Sequence, residues 1–263
     1  MSITTVGEHI VHYEALGRGQ PVIFIHGWLG SWRYWWSSMQ GLSAHCRTFA
    51  LDLWGFGDSS KVVEKYSLDG YIELLDQFID RLGIATPVVL VGHGLGASVA
   101  LRYAVKRPGP VARLATVALP INGKHLDTRL AEGNVSDVAS RVLRRGDTFP
   151  EVEGELRKTD PVALTHLVAE LSQLDFASDV SLVEHPLLMV FGAEDPIVRP
   201  PNGTLPTLGE GANHRAYVSF DTCSHFPMLE ETARFNRLIL EFLRAEDNLS
   251  ALAPKEYWHR RTH

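Results

Sequence analysis

The stretch Val88-Val89-Leu90-Val91-Gly92-His93-Gly94-Leu95-Gly96-Ala97-Ser98 decides how the rest of the chain is read. Four apolar residues in a row, without alternation, describe a short strand buried on both faces. Glycines at every second position then ask for a tight turn, and the residues from Leu95 to Lys106 suit a helix. A strand that feeds a helix through so short a turn is half of a βαβ unit, so the surrounding sheet is expected to be mostly parallel.

Upstream, residues 9–16 alternate loosely and are expected to form a partly exposed antiparallel strand. Val22-Ile23-Phe24-Ile25 is a second buried strand, ending in His26-Gly27-Trp28-Leu29-Gly30-Ser31, after which a helix can run from Trp32 to Ala44. Thr48 to Leu53 is the next strand, followed by the turn-rich Trp54-Gly55-Phe56-Gly57-Asp58-Ser59-Ser60. Leu68, Ile72, Leu75, Phe78, Ile79 and Leu82 recur at helical spacing, with Ser67 placed as an N-cap and Gly83 as a stop.

Downstream, a strand is expected near Leu114 to Leu119, another at Leu187 to Gly192 running into Ala193-Glu194-Asp195-Pro196, and a last one at Ala216 to Phe220. The last runs into Asp221-Thr222-Cys223-Ser224-His225-Phe226-Pro227, and a long helix from Met228 to about Ala245 follows. Residues 121–182 break the rhythm with charge-rich helical segments at Val135 to Arg145 and Pro161 to Leu174. They are expected to form a helical lid inserted into a core made of 1–120 and 183–263. Residues 199–215, rich in Pro and Gly, are expected to be loop.

The 263 residues suffice for one large domain, and with 45% apolar and 21% charged residues the composition is that of a globular chain. A net charge of −6 speaks against a nucleic-acid partner. The two cysteines, Cys46 and Cys223, are far apart and lack metal-ligand spacing, so neither a disulfide framework nor a metal site is expected. The first residues, Met1 to Val6, show no basic or long apolar run, which leaves no sign of an export signal or of membrane insertion and makes the cytoplasm the expected location. No cofactor fingerprint is present: the spacing G-x-G-x-G at Gly92 to Gly96 lacks the later glycine and acidic partner of a dinucleotide site.

Taken together, His26-Gly27-Trp28, Asp52-Leu53-Trp54-Gly55-Phe56-Gly57-Asp58-Ser59, the elbow at Gly92 to Gly96, Gly192-Ala193-Glu194-Asp195 and Ser224-His225-Phe226-Pro227 resemble the α/β-hydrolase superfamily. The closer resemblance is to its branch of small esterases, carbon–carbon bond hydrolases, haloalkane dehalogenases and epoxide hydrolases. Five motifs in the family's order cover roughly residues 8 to 245. The resemblance implies an α/β-hydrolase fold, a mostly parallel central sheet flanked by helices with a short helical lid. It also implies that Asp195 and His225 are the acid and the base of a catalytic triad, the carboxylate fixing the imidazole tautomer and the imidazole moving protons. The backbone N–H groups of Trp28 and Leu95 would form the oxyanion hole, and His26 would brace its loop.

The departure is at Gly94, where the family's elbow G-x-S-x-G carries its nucleophile. Glycine offers neither a hydroxyl nor a carboxylate, so the covalent route is closed there. Glycine also adopts the strained elbow backbone cheaply, relaxing the turn by ~1–3 kcal/mol. Three accounts are open: a serine deliberately replaced in an active hydrolase; a natural pseudo-hydrolase that binds or senses a ligand; and an enzyme in which His225, held by Asp195, activates water or a substrate proton directly. As substitute nucleophiles Ser98 and Cys223 are poor candidates, the first a small residue inside a helix and the second a buried thiol. Ser59 and Ser60 suit local turn hydrogen bonds.

Trp28, Trp32 and Trp54, with His93 beside the elbow position, are the expected substrate-binding residues, and so many aromatics imply a small apolar or aromatic ligand. The mixed charges of Arg129, Arg141, Arg144, Arg145, Asp127, Asp137 and Asp147 describe a solvated lid surface. Substrate identity and oligomeric state leave no mark in the sequence.

Overall fold

The computed structural model describes residues 2–132, 137–138, 142–143, 149–201, 213–246 and 248–252. Its strands are β1 (Ser2–Val6), β2 (His9–Gly17), β3 (Pro21–Ile25), β4 (Arg47–Leu51), β5 (Val88–His93), β6 (Val111–Val117), β7 (Leu187–Gly192) and β8 (Arg215–Phe220). They form one sheet in the order β1-β2-β4-β3-β5-β6-β7-β8. Only the β1/β2 and β2/β4 pairs are antiparallel, so β5 and its elbow sit mid-sheet in the parallel part.

Burial follows the sequence pattern. Every residue of β3, β5 and β7 is buried, as their unbroken apolar runs imply, whereas the edge strand β8 alternates between buried and half-buried. Strand β1 was not expected, because Ser2-Ile3-Thr4-Thr5-Val6 buries only Val6 and offers little apolar signal. The strand expected at 114–119 lies earlier, at 111–117.

The helices of the core are α1 (Trp36–Leu42), α2 (Leu68–Arg81) and α3 (Leu95–Lys106), followed after the last strand by α7 (Pro227–Glu230) and α8 (Thr232–Arg244). Helix α2 begins as read: the Ser67 hydroxyl accepts from the Gly70 N–H, and Gly83 follows its end at φ +56°. The expected helix at 32–44 opens instead as a 3₁₀ turn, Trp32–Trp35, whose Arg33 N–H is capped by the Ser31 hydroxyl. The helix expected from Met228 to Ala245 is broken at Glu231, which has φ −129° and ψ 54°. The cause is contact with the preceding loop: Glu230 and Glu231 turn back to hydrogen-bond residues 222–226, as described below.

Between β6 and β7 lie α4 (Pro150–Leu156), α5 (Pro161–Leu171) and α6 (Ala177–Leu182). Most of the helical segment expected at 135–145 and most of the loop expected at 199–215 fall outside the described residues, and Arg215, at the end of that loop, opens β8. The inserted helices are tied to loops at the carboxyl ends of the strands. Arg33 meets Glu155 at 2.7 Å, Lys158 meets Asp58 at 2.9 Å, and the Tyr66 hydroxyl donates to Asp160 at 2.7 Å. Helix α6 instead packs on α3 through the Arg102–Asp179 ion pair at 2.9 Å. Among the described residues no helix is long and apolar enough to cross a membrane.

Candidate active site

Gly94 has φ +53° and ψ −111°, a backbone that residues with a side chain rarely adopt. The flanking glycines answer a different need. A Cβ on Gly92 would strike the Gly96 carbonyl, and one on Gly96 would strike the carbonyls of Ile25 and His26. The G-x-G-x-G spacing therefore lets the elbow press against the end of β3. The N–H groups of Leu95 and Trp28 make no backbone hydrogen bond among the described residues, the first because it opens α3. Leu29, next to Trp28, is held at φ +57° while fully buried, so the loop after β3 is strained in place by packing.

β7 delivers Asp195 and β8 delivers His225, 6% and 1% exposed. The His225 Nδ1–H donates to Asp195 Oδ2 at 2.8 Å, while Asp195 Oδ1 accepts from the N–H groups of Ile197 at 2.8 Å and Val198 at 3.0 Å. Each carboxylate oxygen is thus engaged, and the contact with Asp195 orients the ring with its Nδ1–H toward the carboxylate. Nε2 is left with its lone pair, and no protein donor reaches it among the described residues. The loop is clamped by Glu230, whose two oxygens accept from Ser224 N–H at 2.7 Å and Phe226 N–H at 2.9 Å. Phe149, at the start of α4, reaches Phe226 with ring centroids 6.2 Å apart, bringing the insertion over this loop.

A second histidine joins the pieces. The Gly27 N–H donates to the Tyr34 hydroxyl, which donates in turn to His93 Nδ1 at 3.0 Å, and His93 Nε2–H donates to the His225 carbonyl at 2.8 Å. Burial holds the His93 pKa well below the ordinary histidine value, with the nearby His225 adding to the effect, and burial pushes the Tyr34 hydroxyl well above its own. Both groups are therefore neutral, as the chain of donors requires. The expected ligand-binding role of His93 is corrected here: both ring nitrogens are occupied, and the residue positions the loop after β3 relative to the His225 loop. Tyr34 and Glu230, which complete this scaffold, had no signal in the sequence. Replacing His93 with Phe takes the acceptor from the Tyr34 O–H and the donor from the His225 carbonyl, and urea unfolding should show a loss of about 2–4 kcal/mol.

His26 has the same character. Its Nδ1–H donates to the Gly27 carbonyl at 2.8 Å and its Nε2 accepts from the Leu53 N–H at 2.9 Å, which makes it the loop brace expected; burial lowers its pKa. Because His26 and His93 stay neutral in the fold, the unfolded chain binds more protons below the ordinary histidine pKa of 6.5. Stability should therefore rise with pH up to that point. It should fall as pH drops below it, by up to about 1.4 kcal/mol per pH unit for each histidine. Urea midpoints between pH 5 and 7.5 test this, and the slope should shrink in His93→Phe.

Trp28 occupies the place that a side chain at 94 would need. A Cβ built on Gly94 would lie 2.8 and 2.9 Å from two carbons of the Trp28 six-membered ring, the nearest atoms to it, with the Gly27 Cα next at 3.7 Å. The indole is 2% exposed and its N–H is buried without a partner. The other two tryptophans expected at the pocket are engaged elsewhere. Trp32 meets His12, Trp36 and the Arg33 guanidinium, and Trp54 meets His9 and the Lys65 ammonium, so both serve the β2/β4 side of the sheet.

Neither substitute nucleophile gains support. The Ser98 hydroxyl is fully buried and turned to its own helix, 3.4 Å from the Gly94 carbonyl. The Cys223 thiol is pushed far up by burial and by Glu230 and Glu231. His12, Asp52 and Asp58 cluster closely enough to suggest a metal. Their donors are already used: Asp52 accepts from His12 Nδ1 at 3.0 Å and from the N–H groups of Trp32 and Asp58 at 2.7 and 3.0 Å, and Asp58 pairs with Lys158. The cluster ties the loops after β3 and β4 together. Ser59 joins it through local hydrogen bonds, accepting from the His12 N–H and donating to the Asp52 carbonyl.

Residues 20–160 match the family model for the alpha/beta hydrolase fold, and the chain belongs to that hydrolase-type family. Among curated relatives it is 28% identical over 260 residues to the dihydrolipoyllysine-residue acetyltransferase component of an acetoin cleaving system from Pseudomonas putida, covering 91% of this chain and 68% of that one. It is 25% identical over 258 residues to the 2-hydroxy-6-oxo-2,4-heptadienoate hydrolase of Pseudomonas putida, covering 88% of this chain and 92% of the relative. Among solved structures, a serine-to-alanine mutant of a meta-cleavage product hydrolase from Pseudomonas fluorescens, complexed with acetates, superposes with a TM-score of 0.78 at 21% identity, covering 93% of this chain and 97% of that one. The family explains the mostly parallel sheet and its order of strands.

Proposed function

We propose that the protein takes small apolar or aromatic carbonyl compounds, esters above all, and hydrolyses them slowly without a covalent intermediate. The observation that carries this is the Asp195–His225 pair, buried, fully oriented and with Nε2 open, beside an elbow whose nucleophile position is glycine.

In the proposed reaction a water molecule attacks the ester carbonyl as His225 Nε2 takes its proton. The developing oxyanion is held by the Trp28 and Leu95 N–H groups, the latter at a helix N-terminus, and Asp195 steadies the imidazolium. The imidazolium then protonates the leaving alkoxide, so that ester and water give acid and alcohol. The Trp28 ring, lying over position 94, forms an apolar wall for the acyl or aryl group, and its unpartnered N–H is a donor for a polar atom of the ligand. Residues 121–182 act as the lid that limits substrate size. The similarity to a hydrolase of an unsaturated oxo acid supports a carbonyl substrate.

The second reading is a binding or sensing protein, favoured by one observation: the Trp28 ring fills the space above Gly94. The two separate on a panel of aryl and alkyl esters with the chain and its His225→Ala variant. Turnover above buffer that collapses in the variant supports the enzyme. Ligand binding with no turnover in either supports the binding protein.

A further inference from the structure

At the opposite end of the sheet from His225, a cavity of about 280 Å³ opens between the starts of the central strands and the end of α8. Val89, Leu240 and Leu243 give it apolar walls, and its polar side chains are Gln20, His45, Arg113 and Arg244; no carboxylate lines it. Arg113 stands on the inner wall. Its Nη2 donates to the Ala245 carbonyl at 2.5 Å and its guanidinium lies 5.7 Å from the Phe242 ring, but Nη1 is buried with no acceptor. Arg244 and His45 sit exposed at the mouth, with Arg244 Nη2 3.4 Å from His45 Nδ1. Neither arginine forms an ion pair among the described residues. Cys46 adds no negative charge, since burial pushes its thiol up to about 11.

A buried guanidinium N–H without an acceptor is unfavourable unless something supplies one, and guanidinium matches a carboxylate best. The apolar walls exclude a fully hydrated inorganic anion as the best occupant, because they would be left against water. We propose that this cavity binds a small organic monocarboxylate, its head paired with the guanidinium groups of Arg244 and Arg113 and its short apolar or aryl tail lying against Leu240, Leu243 and Val89. The site stands apart from the reaction proposed for His225 and does not depend on it.

The test is calorimetric titration at constant ionic strength with hexanoate and benzoate, alongside hexanol, benzamide and inorganic phosphate. The carboxylates should bind, with the neutral analogues and phosphate weaker by about tenfold or more. Arg113→Gln and Arg244→Gln should each weaken the carboxylates by about fivefold or more, and His225→Ala should leave them unchanged. Arg113→Gln also loses the Ala245 contact, so Arg244→Gln, at an exposed position, decides if the former melts early. Binding that is equal for the neutral analogues or for phosphate overturns the proposal. So does affinity indifferent to Arg244→Gln, or affinity lost in His225→Ala, which would place the ligand at the other end of the sheet.

Discussion

Gly94→Ser combined with Trp28→Leu should raise hydrolysis of small aryl esters by ~10³-fold or more over the parent chain, because it places a hydroxyl beside the Asp195–His225 pair. Gly94→Ser alone should gain far less. The new Cβ would lie 2.8 Å from the Trp28 ring, and the backbone at φ +53° disfavours any side chain. Overpacking and elbow strain, each about 1–3 kcal/mol, should together lower the melting temperature of the single variant. Trimming Trp28 removes the clash and leaves its backbone N–H, the proposed oxyanion donor, untouched. Steady-state kinetics with p-nitrophenyl acetate and thermal melts of both variants measure the two effects. If the double variant is no faster than the parent, position 94 is not where this site lacks its chemistry.

His225→Ala in the glycine background should reduce ester turnover by ~10²–10⁴-fold, the range associated with a positioned general base. Asp195→Asn should cost a similar factor: an amide no longer fixes the Nδ1–H tautomer, although the Ile197 and Val198 N–H groups can still hold its oxygen. Glu230→Gln should cost less, since an amide keeps one acceptor for the two loop N–H groups it clamps. Turnover unchanged by His225→Ala would leave the binding reading in possession of the site.

The parallel core was legible because buried strands such as Val22 to Ile25 and Leu187 to Phe191 read as unbroken apolar runs, and because α2 and α3 carry their boundaries in Ser67, Gly83 and the elbow glycines. β1 was not, since an edge strand that buries one residue leaves almost no pattern. The break at Glu231 was hidden for another reason. The apolar spacing of 228–245 runs straight through it, and only the tertiary pull of Glu230 and Glu231 toward the His225 loop interrupts the helix. The pairing of Asp195 with His225 was legible only through the family resemblance of the motifs that carry them, since each alone reads as an ordinary turn or loop residue. The part played by Trp28 was only half so: composition suggests an aromatic pocket, but not which indole lies over Gly94 and which two turn to His9 and His12. The Tyr34–His93 relay depends on three loops meeting in space, and nothing in the spacing of those residues announces it.

The central claim is that the Asp195–His225 pair works here without a covalent partner. Intact-protein mass spectrometry during turnover of an aryl ester tests it most directly. The account predicts that substrate is consumed above the buffer rate while the protein mass stays unchanged at every time sampled. A transient gain equal to the acyl group, on Ser98, Cys223 or any other residue whose removal abolishes turnover, would contradict it.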